Sequence, residues 1–459
     1  MTSILKHDLP IRIVKALYIL LLTVVFGFFW YTSYALELWN GPFHEKGNYV
    51  IILLFLILYQ ILGRTYDAFL ISLSRISEMI YSQTLAAAFS DVIMYIVICL
   101  LSRRPVFVVP LILCFLVQFC IIVVWSVCAH LWYFRTFPAK QTVVIYGLRE
   151  GMEDLITRYG LAKKFHVVEC VRIEDLLANG MKALTPEIEA VYLCGVHSKD
   201  RNVVLKYCVE HDISAYVIPR VGDVLMNSAK QMHMFHLPIL RVDRYHPTPE
   251  YCIIKRLFDI VASATAILLL SPVMILTAIA VKTDGGPILY KQTRLTQNGK
   301  EFKIRKFRSM RVDAEKDGVA RLSTGEHDDR ITKVGRFIRK VRLDELPQLF
   351  NIFFGDMSIV GPRPERPEIA KQYEKTMPEF RLRLQAKAGL TGYAQVYGKY
   401  NTTPYDKLQM DLLYISNPSF IEDIKICFAT VKILFMPEST EGIEEGTTTA
   451  MEFSKEKSA

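Results

Sequence analysis

A multi-domain membrane protein is the fold class this sequence predicts: a four-helix transmembrane bundle, a Rossmann-like α/β domain, and a second α/β domain that carries a re-entrant membrane helix. Three observations carry that prediction. Four apolar blocks fill the first third of the chain, short β-branched strands then alternate with polar helices, and a later apolar segment has a Ser-Pro pair at its centre. The 459 residues leave room for two or three domains, and 51% of them are hydrophobic, a high share for a soluble protein.

The apolar blocks cover residues 13–36, 49–62, 84–101 and 106–133. A spanning helix needs about 20 apolar residues, so the second block is short unless it runs past Gly63. Pro110 kinks the fourth or begins it. No small-residue cleavage site precedes the later blocks, which argues for four spans and against a signal peptide. Lys6, Arg12, Lys15, Arg64, Arg75, Arg135 and Lys140 fall on one side, against Lys46, Arg103 and Arg104 on the other. That bias puts both ends of the bundle, and everything after it, in the cytoplasm.

Past residue 140, strands are predicted at 142–147, 166–171, 190–194 and 214–218, with helices at 152–159, 173–178 and 201–208. Such alternation argues for a small parallel α/β domain, taken as residues 138–248 after a membrane domain of 1–137. Gly147 and Gly151 flank its first turn, but Arg149 stands where a second glycine would let a pyrophosphate approach. A scaffold is therefore expected there in preference to a dinucleotide site.

Residues 260–281 would reach about 33 Å as a straight helix, enough to span. Ser271-Pro272 interrupts them, and Lys255, Arg256 and Lys282 flank both ends. A broken helix that enters one leaflet and returns satisfies both features. It opens a domain of residues 249–437. Residues 420–435 have helical spacing with Lys425 and Lys432 among aromatics, which fits an interfacial or a core-packing helix. The acidic stretch 438–459 has little to bury and is expected to be disordered.

The nine cysteines contain no C-x-x-C pair, which excludes the common zinc and redox signatures. A net charge of +9 comes without an aromatic-interleaved recognition motif, so no nucleic-acid partner is expected. An anionic membrane surface and phosphorylated substrates account for it better.

Residues 286–294 and 302–310 read as a hairpin about a turn at 297–300, with Lys306 and Arg308 sharing one face of the second strand. Arg336, Arg339, Lys340 and Arg342 precede Asp344-Glu345. Taken alone, Asp344 is an N-cap before a helix at 346–353, with Glu345 in its first turn. Acids among cations at a helix start also suit phosphate chemistry. Pro362 and Pro364 hold Arg363 extended, and Gly389, Thr391 and Gly392 read as a tight turn able to approach a substrate through its backbone.

This ordered series resembles the bacterial sugar transferase family, the monotopic polyprenyl-phosphate phosphoglycosyl transferases, over roughly residues 255–435. The domains in front look like the large form of that family, which initiates exopolysaccharide, capsule or O-antigen synthesis. The resemblance implies a re-entrant helix broken at Ser271-Pro272 and a catalytic dyad of Asp344 and Glu345. It implies that Asp344 attacks the β-phosphate of a UDP-sugar, expels UMP and passes the phosphosugar to polyprenyl (undecaprenyl) phosphate. Mg²⁺ is the implied cofactor, with Glu345 the candidate for its ligand or for assisting proton transfer, and Lys306, Arg308, Arg339 and Arg363 are the candidate phosphate contacts. The implied setting is the bacterial cytoplasmic membrane, with the catalytic domain on the cytoplasmic face among membrane lipid; a homodimer is compatible with the sequence.

Two departures stand out. Thr296 occupies a position that is usually glycine, and Gly285-Gly286-Pro287 replaces a more usual serine-containing stretch. Two other functions compete. A nucleotide-sugar modifying enzyme would need a complete glycine fingerprint and a Tyr-x-x-x-Lys pair; the fingerprint is absent, and Tyr159 to Lys163, which has that spacing, falls too early for a catalytic pair. A non-enzymatic regulator of polymer export would need no dyad. No motif encodes which sugar is transferred.

Overall fold

The computed structural model describes residues 2–35, 45–147, 151–158, 160–245, 247–312, 330–398 and 402–434. Arg149, Tyr159 and the acidic tail lie outside the described residues. The chain divides into two compact units, Met1–Ile218 and Pro219–Ala459.

The first unit begins with four helices, α1 (Thr2–Ser33), α2 (Glu45–Thr65), α3 (Ile76–Ser102) and α4 (Val109–Thr136). With a fifth in the second unit, they are the helices among the described residues long and apolar enough to cross a membrane. The second block does run past Gly63, giving α2 21 residues and about 31 Å. Pro110 starts α4 and does not kink it, because its missing N–H falls where no helical bond is due. Gln83 joins all four helices. Its Oε1 accepts from Tyr18 at 2.9 Å and Ser126 at 3.2 Å, its Nε2 donates to the Ala68 carbonyl, and Tyr18 meets Tyr59 at 2.9 Å. Stacked rings, Phe26 on Phe55 and Tyr18 on Trp125, lie in the same interior with buried Leu22, Met94 and Ile122.

The same unit continues as β1 (Lys140–Tyr146), α5 (Met152–Arg158), β2 (Phe165–Arg172), α6 (Ile173–Ala178), β3 (Ala190–Cys194), α7 (Ser198–Glu210) and β4 (Ser214–Val217). The strands form one parallel sheet in the order β2-β1-β3-β4. Central β1 buries Val143, Val144 and Ile145 in succession, as a strand covered on both faces must.

The second unit opens earlier than the composition suggests, at residue 219 instead of 249. Val224 of α8 (Val221–Asn227) packs in one core with Val360, Leu408 and Leu412. Gln409 Nε2 donates to the Pro219 carbonyl, and the Tyr245 amide donates to Gln385. A seven-residue helix does not reveal from its sequence which core it joins. The antiparallel pair β5 (Lys230–Met234) and β6 (Leu237–Arg241) follows.

Next comes α9 (Pro249–Thr283), 35 residues long. Helical geometry runs unbroken through Pro272, so the expected interruption is not a loss of helix. Pro272 cannot donate to the Leu268 carbonyl four residues back, and the Ser271 hydroxyl bonds that carbonyl instead, at 2.8 Å. One face of α9 packs along the unit. Near its start, Tyr251 and Lys255 reach Asp423; near its end, Met274, Ala278 and Val281 join a core with Phe307 and Ile338. Its other face leaves Leu257, Val261, Leu268, Leu269, Leu276 and Ile279 exposed.

The remaining elements are β7 (Leu289–Leu295), β8 (Glu301–Phe307), α10 (Lys333–Lys340), α11 (Gln348–Phe354), β9 (Ser358–Val360), α12 (Pro367–Thr376), β10 (Gly389–Thr391), α13 (Tyr393–Val396), α14 (Pro404–Ser416) and α15 (Phe420–Leu434). Of the two readings of α15, core packing fits its contacts. Ile426 and Ala429 are buried, and Asp423 accepts from Tyr251, Lys255 and Tyr414.

Candidate active site

The β7–β8 hairpin pairs Leu295 with Glu301 and closes through Gln297–Gly299, where Asn298 and Gly299 are left-handed at φ 59° and 74°. On β8, Phe302, Ile304 and Lys306 fall on one face. The first two pack with Leu349 and Ile352 of α11, while the third sends its ammonium beyond that core. Asn351 fastens α11 to β8, accepting from the Arg305 amide at 3.0 Å and donating to the Lys303 carbonyl at 2.9 Å.

α10 delivers the dyad. Thr332 caps its start by accepting from the Gly335 amide, and Gly335 lies so close to Ser309 that an added Cβ would overlap the Ser309 backbone. After α10, Arg342 is left-handed at φ 60°, and Leu343–Glu345 form one short 3-10 turn. Asp344 is therefore not the cap of a helix: it sits inside that turn, and Pro347 precedes α11. The helix starts later than the apolar pattern suggested because Pro347 suits the first turn of a helix.

Asp344 is 8% exposed. Burial raises its carboxyl above the usual aspartate value, and the Glu345 charge adds to the rise against Lys306, Arg339 and Arg342. Glu345 behaves oppositely. Burial pushes it up, but the Lys306 ammonium and Arg363 guanidinium pull harder and leave it well below the ordinary glutamate value. Lys306 Nζ lies 2.7 Å from Glu345 Oε1, and Arg363 Nη2 lies 3.4 Å from the same oxygen. The site thus pairs one easily ionised carboxylate with one that burial holds toward its neutral form.

Of the expected phosphate contacts, Lys306 and Arg363 converge on Glu345, and Arg339 faces Asp344 through its charge. Arg308 does not join them. Its guanidinium is buried and donates to the Val281 carbonyl at 3.1 Å, capping the last turn of α9. The strand ends at Phe307, so alternation no longer holds one residue further on.

Gly389, Thr391 and Gly392 are not a turn either. Gly389–Thr391 form β10, parallel to β9, and an added Cβ at Gly389 or Gly392 would overlap the Gly361 backbone. The close approach these glycines permit is between two strands, and Thr391 bonds Thr430 at 2.6 Å. Ser271 and Pro272 lie in α9, where their bonding to Leu268 is local. Thr296 takes an extended conformation at φ −126°, which requires no glycine. Its hydroxyl donates to the Asp356 carbonyl and accepts from the Ala388 amide, tying three loops.

The roles of three residues escape a sequence reading. Arg342 is legible only as one of the cations before the dyad, because no pattern announces a left-handed arginine. Asn351 is the second, the bolt between α11 and β8. Arg383 is the third: it is 5% exposed in a stretch with no signature.

A family model described as bacterial sugar transferase matches residues 250–437. The chain is 37% identical, over 50% of its length, to a UDP-N-acetylgalactosamine-undecaprenyl-phosphate N-acetylgalactosaminephosphotransferase of Aeromonas hydrophila, of which it covers 54%. It is 41% identical, over 45% of its length, to a UDP-glucose:undecaprenyl-phosphate glucose-1-phosphate transferase of Escherichia coli (strain K12), of which it covers 44%. An exopolysaccharide production protein of Rhizobium leguminosarum bv. phaseoli is 40% identical over 39% of the chain and 94% of its own length. The chain thus spans about half the length of the first two relatives and nearly all of the third.

Proposed function

Because the chain belongs to the bacterial sugar transferase family, we propose that it moves a sugar phosphate from a UDP-sugar to undecaprenyl phosphate, releasing UMP and leaving undecaprenyl-diphosphate-sugar. The observation that carries this reading is the convergence of Lys306 and Arg363 on Glu345, beside a buried Asp344. In the first step an Asp344 carboxylate oxygen attacks the β-phosphorus, the bond from that phosphorus to the bridging oxygen breaks, and UMP departs. In the second step an oxygen of undecaprenyl phosphate attacks the same phosphorus, and Asp344 leaves as a carboxylate. Covalent relay of this kind splits one difficult transfer into two easier ones.

Lys306, Arg339 and Arg363 compensate the charge of two anionic substrates, and the planar fork of Arg363 matches phosphate oxygens. A divalent cation fits the donor set. Among the described residues no three His, Cys, Asp or Glu side chains cluster, and Mg²⁺ takes one or two carboxylates and completes its shell with phosphate oxygens and water. Glu345, ionised, is the residue that would hold it; when bound it neutralises charge on the transferred phosphoryl group.

α9 reads as a re-entrant membrane helix, since both of its ends pack on the same unit and its outer face is apolar. The four helices of the first unit read as a transmembrane bundle and its parallel sheet as a Rossmann-like scaffold. By the Lys/Arg bias, the dyad faces the cytoplasm at the inner membrane. The direct experiment incubates protein in lipid nanodiscs with undecaprenyl phosphate, Mg²⁺ and a panel of UDP-sugars, and measures UMP. One productive sugar is expected; silence across the panel rejects the transferase reading.

A further inference from the structure

The Pro362-Arg363-Pro364 segment is held from both sides by arginines, Arg383 buried and Arg294 partly buried. On one side Arg383 Nη2 donates to the Arg363 carbonyl at 2.8 Å. On the other, Arg294 Nη1 donates to the Pro364 carbonyl at 3.2 Å, and the Leu295 amide donates to the Glu365 carbonyl at 3.0 Å. Arg383 is itself immobilised. Its Nε and Nη2 lie 2.9 and 2.6 Å from Asp411 Oδ2 on α14, and its guanidinium sits 4.9 Å over the Phe380 ring. A continuous line therefore runs from Asp411 through Arg383 to the Arg363 backbone, and from the Arg363 side chain to Glu345.

We propose that Arg383, anchored by Asp411, is a positioning residue that acts through Arg363, fixing its backbone so that its guanidinium meets the dyad and the transferring phosphate. A buried ion pair is a weak source of stability compared with apolar side chains of similar volume. Among the described residues Asp411 Oδ1 has no hydrogen-bond partner, so the pair is not optimised for that purpose. An apolar pair could fill the space between α14 and the 3-10 stretch Pro378–Gln385. It could not hold the Arg363 carbonyl. Arg363 is half-exposed at its tip and pinned at its backbone, as expected of a group that must swing between Glu345 and a phosphate without losing its aim.

This inference deepens the transfer function proposed above and rests on it. The test is a double-mutant cycle on the full chain in nanodiscs, with the UDP-sugar that gives the highest UMP release. Replacing Arg383 alone by an apolar residue would strand Asp411, so the cycle uses the double replacement Arg383→Met with Asp411→Leu, alone and combined with Arg363→Ala. Arg383→Lys serves as a second, charge-conserving route. Melting should stay near that of the parent protein, kcat/KM should fall by between about tenfold and a hundredfold, and adding Arg363→Ala should cost little more than Arg363→Ala alone. Arg383→Lys, which keeps the charge on Asp411 but loses the fork, should melt like the parent and fall between it and Arg363→Ala in rate. A folded Met/Leu protein with parental kcat/KM, or losses that multiply with Arg363→Ala, overturns the proposal and leaves the transfer function standing. If the Met/Leu protein does not fold, Arg383→Lys decides by the same two criteria. A parent protein that releases no UMP from any sugar sinks both.

Discussion

Lys306 Nζ and Glu345 Oε1 stand 2.7 Å apart, joining the end of β8 to the turn that precedes α11. Neither side chain is more than about a fifth exposed, so the pair is screened little by water. Lys306→Met should leave Glu345 with the more distant Arg363 and the charge of Arg342, at a cost of about 1–3 kcal/mol in stability. Lys306→Arg should retain most of both stability and rate. Thermal melts and UMP release on the two variants check this; equal behaviour of Met and Arg would show that the charge is dispensable.

Asp344→Asn should abolish UMP release and leave no phosphosugar on the protein when the UDP-sugar carries a labelled β-phosphate. The fold should survive, because an asparagine conserves the side chain's shape and removes a charge that burial disfavours. Retained label on the Asn protein, located by peptide mapping, would move the nucleophile elsewhere.

Glycine at 389 is required by its neighbour Gly361. Gly389→Ala should destabilise by roughly 1–3 kcal/mol or prevent folding, because its Cβ would overlap the Gly361 backbone. Gly222→Ala, in helix α8 with open space around it, should be neutral or stabilising by up to about 1 kcal/mol. Melting temperatures of the pair give the contrast, and an equal response would reject the packing explanation.

Both ends of α9 should be reached from one side of the membrane. The exposed Cys252 and a cysteine introduced by Asp284→Cys should react with a membrane-impermeant maleimide in inverted vesicles, and neither should react in right-side-out ones. Labelling of the two positions from opposite sides would make α9 a spanning helix.

Within the first unit, Gln83→Leu should weaken the helix bundle by about 0.6–2 kcal/mol, since it removes bonds to Tyr18, Ser126 and the Ala68 carbonyl together. Unfolding in nanodiscs measures it. An unchanged melt would mean that ring stacking alone holds the four helices.

Much of the fold was legible because period and composition report it directly. The helix at 173–178 and the strand at 190–194 fall where β-branched runs and turn residues put them. The four apolar blocks became four helices for the same reason. Misreadings cluster where the outcome depends on a partner distant in the chain. Arg308 was taken for a phosphate contact because alternation is local, whereas the carbonyl that captures it belongs to Val281, 27 residues away. The glycines after residue 388 were read as a turn because sequence does not disclose that Gly361 lies against them.

The sequence by itself determined the apolar segments, the alternating strands and helices, the Ser271-Pro272 pair and the Asp344-Glu345 dyad among its cations. Each depends on residue type and short-range order. Only the tertiary structure decided which cations reach the dyad, that Asp344 lies in a 3-10 turn and caps no helix, and that Arg383 holds the backbone of Arg363. Those outcomes depend on burial and on hydrogen bonds between groups distant in the chain, as Lys306 and Glu345, 39 residues apart, and Arg383 and Asp411, 28 apart, are. Such contacts are set by the packing of whole elements, which no short stretch of sequence contains.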